Sequence, residues 1–337
     1  MTQLSLPLEA DTPSLLPKPL PKAASPARQS ARQSRPALDV ADMAGLVAQH
    51  PDYRVLRRLA AQAHFTGTGT GPRATVLILD TETTGLAHTK EQIIELALLR
   101  VQVDTDTGLP VGDVVTYDGL EDPGKPIPEE IRQITGISDD MVRGQKLDEG
   151  RIAAMLADVD LVIAHNAAFD RPFCEARYAG FVNLPWACSL ADIDWKKEGR
   201  NSAKLEHLAL HQGWFYEAHR AEMDCHALLA VLVPTLPTDG KTGLLRLLGT
   251  GSAPSYRLQA SHAPFEAKTV LKARGYRWDA EQRVWHTRLA DETALAAECS
   301  WLKTAVYGGR SASVQVETRA ATAKYSARPG ALSERQL

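Results

Sequence analysis

Asp80 and Glu82 stand two residues apart where the apolar run of LILDTETTGL (77–86) gives way to a Thr-Thr-Gly turn. Side chains alternate along a strand, so positions i and i+2 point to one side and the two carboxylates form a pair. Two further acids repeat the placement. Asp170 ends HNAAFD, just after the apolar stretch LVIAH, and Asp224 ends HRAEMD, at the start of an apolar helical pattern. Four carboxylates converging from element ends would repel one another and stay partly protonated unless a cation held them together. Oxygen-only ligation suits a hard divalent ion, Mg²⁺ or Mn²⁺, which shares its shell between carboxylates and substrate phosphates. His219 precedes Asp224 by five residues, and five helical steps turn through about 500°, which would leave the two on different faces of one helix. His219 therefore belongs on the loop before the helix, where its imidazole could take a proton from an attacking water. His207, His211 and His226 read as helix-surface or packing residues.

The elements that must position these acids follow from the hydrophobic pattern. Strands near 75–80, 93–103 and 113–117 succeed one another closely and read as antiparallel neighbours. Helical patterns in PEEIRQITG and DEGRIAAMLAD lead to the strand LVIAH at 161–165, then to helices near 168–179, 202–212 and 221–233. The result is an α/β domain over 74–237, a mixed sheet flanked by helices. Residues 234–255 are rich in Pro and Gly, so 238–255 reads as a linker holding at most one short helix. A small α+β module over 256–320 follows, in the order strand, helix, hairpin, helix, strand. Residues 38–73 read as one or two short helices and a Gly-Thr loop, and the compositions of 1–37 and 321–337 are those of disordered tails.

DTETTGL, HNAAFD and HRAEMD, in this order, resemble the three motifs of the DEDDh family of 3′-to-5′ exonucleases, which includes the proofreading epsilon subunit of bacterial DNA polymerase III. ITGISDDMV (134–142) resembles the family's stretch between the first two motifs. The resemblance implies an RNase H-like mixed sheet, two metal ions and release of nucleoside monophosphates from the 3′ end of single-stranded or frayed DNA, with a DNA polymerase as a possible partner. Carried over, Asp80, Glu82 and Asp224 would ligate the metals, Asp170 would complete the second site and His219 would be the base. Thr83, Gly85 and Leu86 would sit against the terminal nucleotide. The same family includes ribonucleases, so RNA trimming is an alternative. A non-catalytic adaptor is another, although none of the acids is missing.

The net charge of −3 conceals an asymmetry: 1–37 carries 5 basic and 2 acidic residues, 38–240 carries 18 and 31, and 241–337 carries 15 and 8. Basic flanks around an acidic middle suit a nucleic-acid partner held by the ends. The four cysteines form no CxxC pair, so neither a zinc site nor a disulfide framework is expected. No apolar run reaches membrane-spanning length and no signal-peptide pattern is present, which makes no membrane partner and a cytoplasmic location the expectation. GTGTGPR (67–73) and GKT (240–242) lack the context of a nucleotide-binding loop.

Two peripheral features carry their own readings. If DAEQ (279–282) is a hairpin loop, Tyr276 lies opposite Trp285 and Trp278 opposite Arg283. These four residues are then either the core of a small domain or a stacking platform for single-stranded nucleic acid. At the N-terminus, Gln3-Leu4-Ser5-Leu6-Pro7-Leu8 resembles the hexapeptide by which bacterial replication proteins bind the sliding clamp. Gln3, Leu4, Leu6 and Leu8 would be its anchors.

Overall fold

The computed structural model describes residues 39–337 except Thr68 and Thr70. The expectations for residues 1–37, including the peptide at 3–8, lie outside the described residues. The chain divides into two units, Met1–Tyr53 and Arg54–Leu337. The described part of the first contains one helix, Val40–Ala48. Of the one or two short helices expected, this is the one that forms, and Val55, Leu56 and Leu59 lie outside it. Arg57–Arg58 instead pairs as a short parallel strand with Trp214–Phe215, in the second unit.

The second unit is built on a sheet of β1 (Arg73–Thr83), β2 (Ile93–Asp104), β3 (Pro110–Leu120), β4 (Leu161–Ala164) and β5 (Trp186–Cys188), in the order β3-β2-β1-β4-β5, with His64–Phe65 outside β3. The first three strands are joined by short connections and pair antiparallel. β4 and β5 run parallel to β1, reached by the helical crossover that parallel pairing requires. This is the RNase H-like mixed sheet that the motif resemblance implies. Its two faces are set by alternation along β1. Val76 and Ile78 pack against Ala221, Cys225 and Leu228 of helix α2 (Ala221–Leu232), while Leu77 and Leu79 pack against Ala167, Phe173 and Cys174 of helix α1 (Ala167–Arg177). All four β1 residues are fully buried, each contributing roughly 1.5–3 kcal/mol of hydrophobic stabilisation. The parallel pairing of β1 with β4 stops at Leu79↔Ala164, so Asp80 to Thr83 continue past the end of β4.

Residues 238–255 are not a linker. Helix α3 (Gly243–Ser252) buries Leu244 and Leu247 in the core beside Leu161, with Thr242 capping its start by accepting from the Leu245 N–H at 3.0 Å. Gly251 lies so close to the Leu161 side chain that a Cβ would overlap it. The glycine that suggested a boundary thus serves close helix–strand packing.

The C-terminal module is a five-stranded antiparallel sheet of β6 (Ser255–Ala260), β7 (Arg277–Asp279), β8 (Val284–Leu289), β9 (Ser313–Arg319) and β10 (Ala331–Gln336), in the order β7-β8-β6-β9-β10. Helices α4 (Lys268–Ala273) and α5 (Glu292–Trp301) pack on it through Leu271, Leu295 and Cys299. The expected disordered tail at 321–337 is therefore corrected. β10 is a polar edge strand held by backbone pairing to β9, from Ser313↔Gln336 to Thr318↔Ala331, so hydrophobic alternation gave no sign of it. The hairpin register is corrected too. Asp279 Oδ1 accepts from the backbone N–H groups of Glu281 and Gln282, at 3.1 and 2.9 Å, and this Asx turn sets Trp278 opposite Trp285.

The segment between β9 and β10 straps the module to α1. Arg171, with no exposed surface, donates to the carbonyls of Lys324 and Thr322 at 2.7 and 2.5 Å, and the Ser326 hydroxyl donates to Glu175 at 2.5 Å. All four cysteines are buried and unpaired. No helix among the described residues is long and apolar enough to cross a membrane.

Candidate active site

The alternation that builds the core also sorts the acids. Asp80 and Glu82 continue the α2-facing series of Val76 and Ile78, and Asp224 lies in the first turn of α2. One oxygen from each of the three carboxylates lies within 4.8 Å of the others. Thr81 belongs to the α1-facing series, and it is Thr81 that holds Asp170. Its N–H and hydroxyl donate to Asp170 Oδ1 at 3.2 and 2.8 Å. Asp170 thus approaches the cluster from the opposite side of the strand, and its charge is the strongest of those that raise the Asp80 pKa.

Asp224 is fixed through both oxygens. The Tyr216 hydroxyl donates to Oδ1 at 2.9 Å, and the N–H groups of His219 and Arg220 donate to Oδ2 at 2.7 and 3.1 Å. His219 stands on the loop before α2, exposed, with a left-handed backbone at φ 65°. That conformation is uncommon for a non-glycine residue, and here it lets the His219 N–H turn back to Asp224 while the imidazole stays outside.

Sequence reasoning missed the support beneath this loop. Glu95, fully buried on β2 opposite Glu82, accepts from Arg220 Nε and Nη2 at 3.0 and 2.8 Å and from the Ala221 N–H at 3.0 Å. Its carboxylate ties the start of α2 to the sheet, where the helix dipole favours negative charge. The signal was a single acid inside the apolar run IIELALL. Tyr216 and Thr81 left no such mark, since only the folded chain brings them to Asp224 and Asp170. The turn after β1 is tied by Thr83, whose hydroxyl donates to the Gly85 carbonyl at 2.7 Å, and by Thr84, which donates to Glu91 at 2.6 Å. Leu86 projects from it, 86% exposed.

The electrostatics are those of an uncompensated site. Burial, then the charges of Asp224 and Glu95, raise Glu82 to about 8. Burial raises Asp170 to about 7 against the lowering effect of its Thr81 hydrogen bonds. Asp80 is raised well above the carboxylate range by burial and by Asp170, and Asp224 is raised by burial. Among the described residues no Lys, Arg or His forms an ion pair with any of these four. Oxygen donors alone, desolvated and mutually repelling, fit a divalent cation held by Asp80, Glu82 and Asp224 with Asp170 beside them.

Of the four residues expected as a C-terminal platform, Tyr276 is buried in the module core, its ring stacked 6.1 Å from that of Trp301. Trp278 and Trp285 form a tilted pair with centroids 5.5 Å apart, and Arg283 lines the same cleft.

An oxygen-ligand cluster at the strand ends of a mixed, helix-covered sheet is a candidate divalent-cation site of the kind that phosphodiester hydrolysis uses. In comparison with known proteins, residues 77–232 match the family model described as Exonuclease. The chain is 30% identical over 219 residues to the PolC-type DNA polymerase III of Lacticaseibacillus paracasei, which covers 58% of this chain but only 14% of that protein. It is 27% identical over 175 residues to the DNA polymerase III subunit epsilon of Treponema pallidum, 48% of this chain and 76% of that one. Among solved structures, Exonuclease X in complex with 5′ overhanging duplex DNA aligns with a TM-score of 0.38 and 24% identity, over 51% of this chain and 97% of that chain.

Proposed function

We propose that this chain is a divalent-metal-dependent 3′-to-5′ exonuclease of the DEDDh type, acting on single-stranded or frayed 3′ ends of DNA in replication or repair. The observation that carries the reading is the approach of Asp80, Glu82 and Asp224 to within 4.8 Å with no cationic side chain among the described residues paired to them. Divalent ions held there would polarise the scissile phosphate and ease deprotonation of water. Asp170 would complete the shell of a second ion, directly or through water. His219, whose backbone is pinned by Asp224, carries the imidazole that removes the proton from the attacking water. Thr83, Gly85 and Leu86 form the turn against which the terminal nucleotide rests, with exposed Leu86 available to a base.

A 5′-labelled single-stranded oligonucleotide incubated with Mg²⁺ should shorten stepwise from its 3′ end. No shortening, or equal shortening by Asp80→Ala, would sink the reading. Matched DNA and RNA strands degraded side by side decide the substrate. For residues 3–8 we propose a sliding-clamp tether anchored by Gln3, Leu4, Leu6 and Leu8. Titration calorimetry of a peptide of residues 1–12 against the clamp should give micromolar-range binding that Leu6→Ala abolishes, and no heat at all would end the idea.

A further inference from the structure

The module carries a cleft that its own core does not need. Leu258, Leu271, Leu302, Val314, Val316 and Tyr276 already fill the space between sheet and helices. Trp278 and Phe265 are left outside, 50% and 83% exposed. Both line a cleft of about 490 Å³ together with Trp285, Arg283, Lys268 and His262. No acidic residue lines it. Lys268 lies 5.9 Å over the Phe265 ring, and neither it nor Arg283 forms an ion pair among the described residues. Aromatic faces open to solvent beside unpaired cations are what a flat, anionic, π-bearing ligand requires.

Position adds to the argument. The cleft collects the end of β6 and the start of β8, through Ala260, Val284 and Trp285. The opposite ends of the same strands, Ser255 and Leu289, line a smaller cavity against Ala191 and Asp192, which follow β5, and Thr250 of α3. The cleft thus lies about one strand length, roughly 17 Å, beyond the junction between module and mixed-sheet domain. The region carrying it, residues 241–337, has 15 basic and 8 acidic residues, whereas 38–240 has 18 and 31. The acidic domain repels phosphates that the module would attract.

We propose that this aromatic–cationic cleft is an accessory site for single-stranded nucleic acid, in which one or two unpaired bases stack on Trp278 and Phe265 while Arg283 and Lys268 meet the flanking phosphates. Only the choice of ligand rests on the exonuclease reading, since binding at this site requires neither the acids nor a metal.

The experiment uses the full chain and a fluorescent oligothymidylate of roughly 20 nucleotides in EDTA, so that binding is read by anisotropy without hydrolysis. Trp278→Ala and Phe265→Ala, both at exposed positions, should each weaken binding about tenfold. Arg283→Gln should weaken it and flatten its salt dependence. With Mg²⁺ restored, hydrolysis of a probe of about 4 nucleotides should be unchanged in all three variants, while KM for the long strand rises. Unchanged anisotropy in the aromatic variants, or equal loss on short and long strands, overturns the site. A chain that binds the long strand but never cleaves it would overturn the catalytic reading alone.

Discussion

Buried acids occur in both halves of the second unit, and they are treated in opposite ways. In the module each has an arginine, as does Glu198 in the other half. Glu317 lies between Arg319 at 2.8 Å and Arg257 at 3.8 Å, Glu298 meets Arg274 at 3.0 Å, and Glu198 meets Arg246 at 2.7 Å. Hydrogen bonds and nearby cations hold Glu317 and Glu198 below their ordinary pKa despite desolvation. In the mixed-sheet domain Asp80, Glu82, Asp170 and Asp224 have hydroxyl and amide donors or one another, and all four are raised. Even where an arginine stands nearby it is taken: Arg220 is committed to Glu95. The difference separates acids that hold the fold from acids kept available for a cation the chain does not itself provide.

The largest effect that would break this comparison is loss of chemistry without loss of fold. Asp80→Asn should lower hydrolysis on the order of 10³-fold or more. The same change should stabilise the metal-free protein by about 0.5–2 kcal/mol, because it removes a carboxyl group whose ionisation is opposed by burial and by its acidic neighbours. Single-turnover cleavage and chemical denaturation in EDTA read the two effects. A variant that is both inactive and less stable would put Asp80 among the structural acids.

The paired side of the comparison is tested at Arg171. It donates to Glu175 at 2.7 Å and to two strap carbonyls, with neither side chain more than 10% exposed. Arg171→Met should cost about 3–5 kcal/mol in urea unfolding, since Glu175 is left buried with only the Ser326 hydroxyl and the half-exposed Arg328 beside it. A cost below about 1 kcal/mol would mean that the strap holds by other contacts. Between these cases stands Glu95, paired yet beneath the site. Glu95→Gln keeps an acceptor for the Ala221 N–H but loses the charge that meets Arg220, so activity should fall about tenfold with KM nearly constant.

These contrasts also mark how far the sequence could be read. Asp80, Glu82, Asp170 and Asp224 were legible because each stands where an apolar pattern stops, and strand alternation alone pairs the first two. That Asp170 would be held by Thr81 from the other face follows from the same alternation once α1 and α2 are known to lie on opposite sides. Glu95 and Arg171 were not legible as partners, because their roles lie in contacts 125 to 153 residues away in the chain. The tail strand β10 was hidden for another reason: a polar edge strand is specified by backbone pairing, which leaves no hydrophobic period to detect. The hairpin register turned on one Asx turn at Asp279, which moved the partner of Trp278 from Arg283 to Trp285, while Tyr276 lies just before the strand and enters the core.

The smallest predicted effect sharpens the comparison most directly, because it uses pH to read the unpaired charges. Glu82 is raised to about 8 and Asp170 to about 7, from unfolded values near 4. Between about pH 4 and pH 8 the folded, metal-free protein therefore holds more protons at these positions than the unfolded chain does. Stability falls as pH rises through that window, the reverse of the usual salt-bridged carboxylate. A divalent ion binds the deprotonated carboxylates, so it competes with protons and removes the repulsion that burial created. Mg²⁺ or Mn²⁺ should thus raise the melting temperature by a few degrees at pH 8 and by distinctly less at pH 6, following the gain of RT ln(1 + [L]/Kd) with a Kd that tightens as protons leave. Glu82→Gln isolates the site from the rest of the titrating protein: its metal-dependent shift should be smaller and its pH dependence flatter. Equal shifts at both pH values in the unmodified chain would mean that the cluster is already ionised without metal, and that its acids are compensated by contacts of the same kind as those around Glu317 and Glu198.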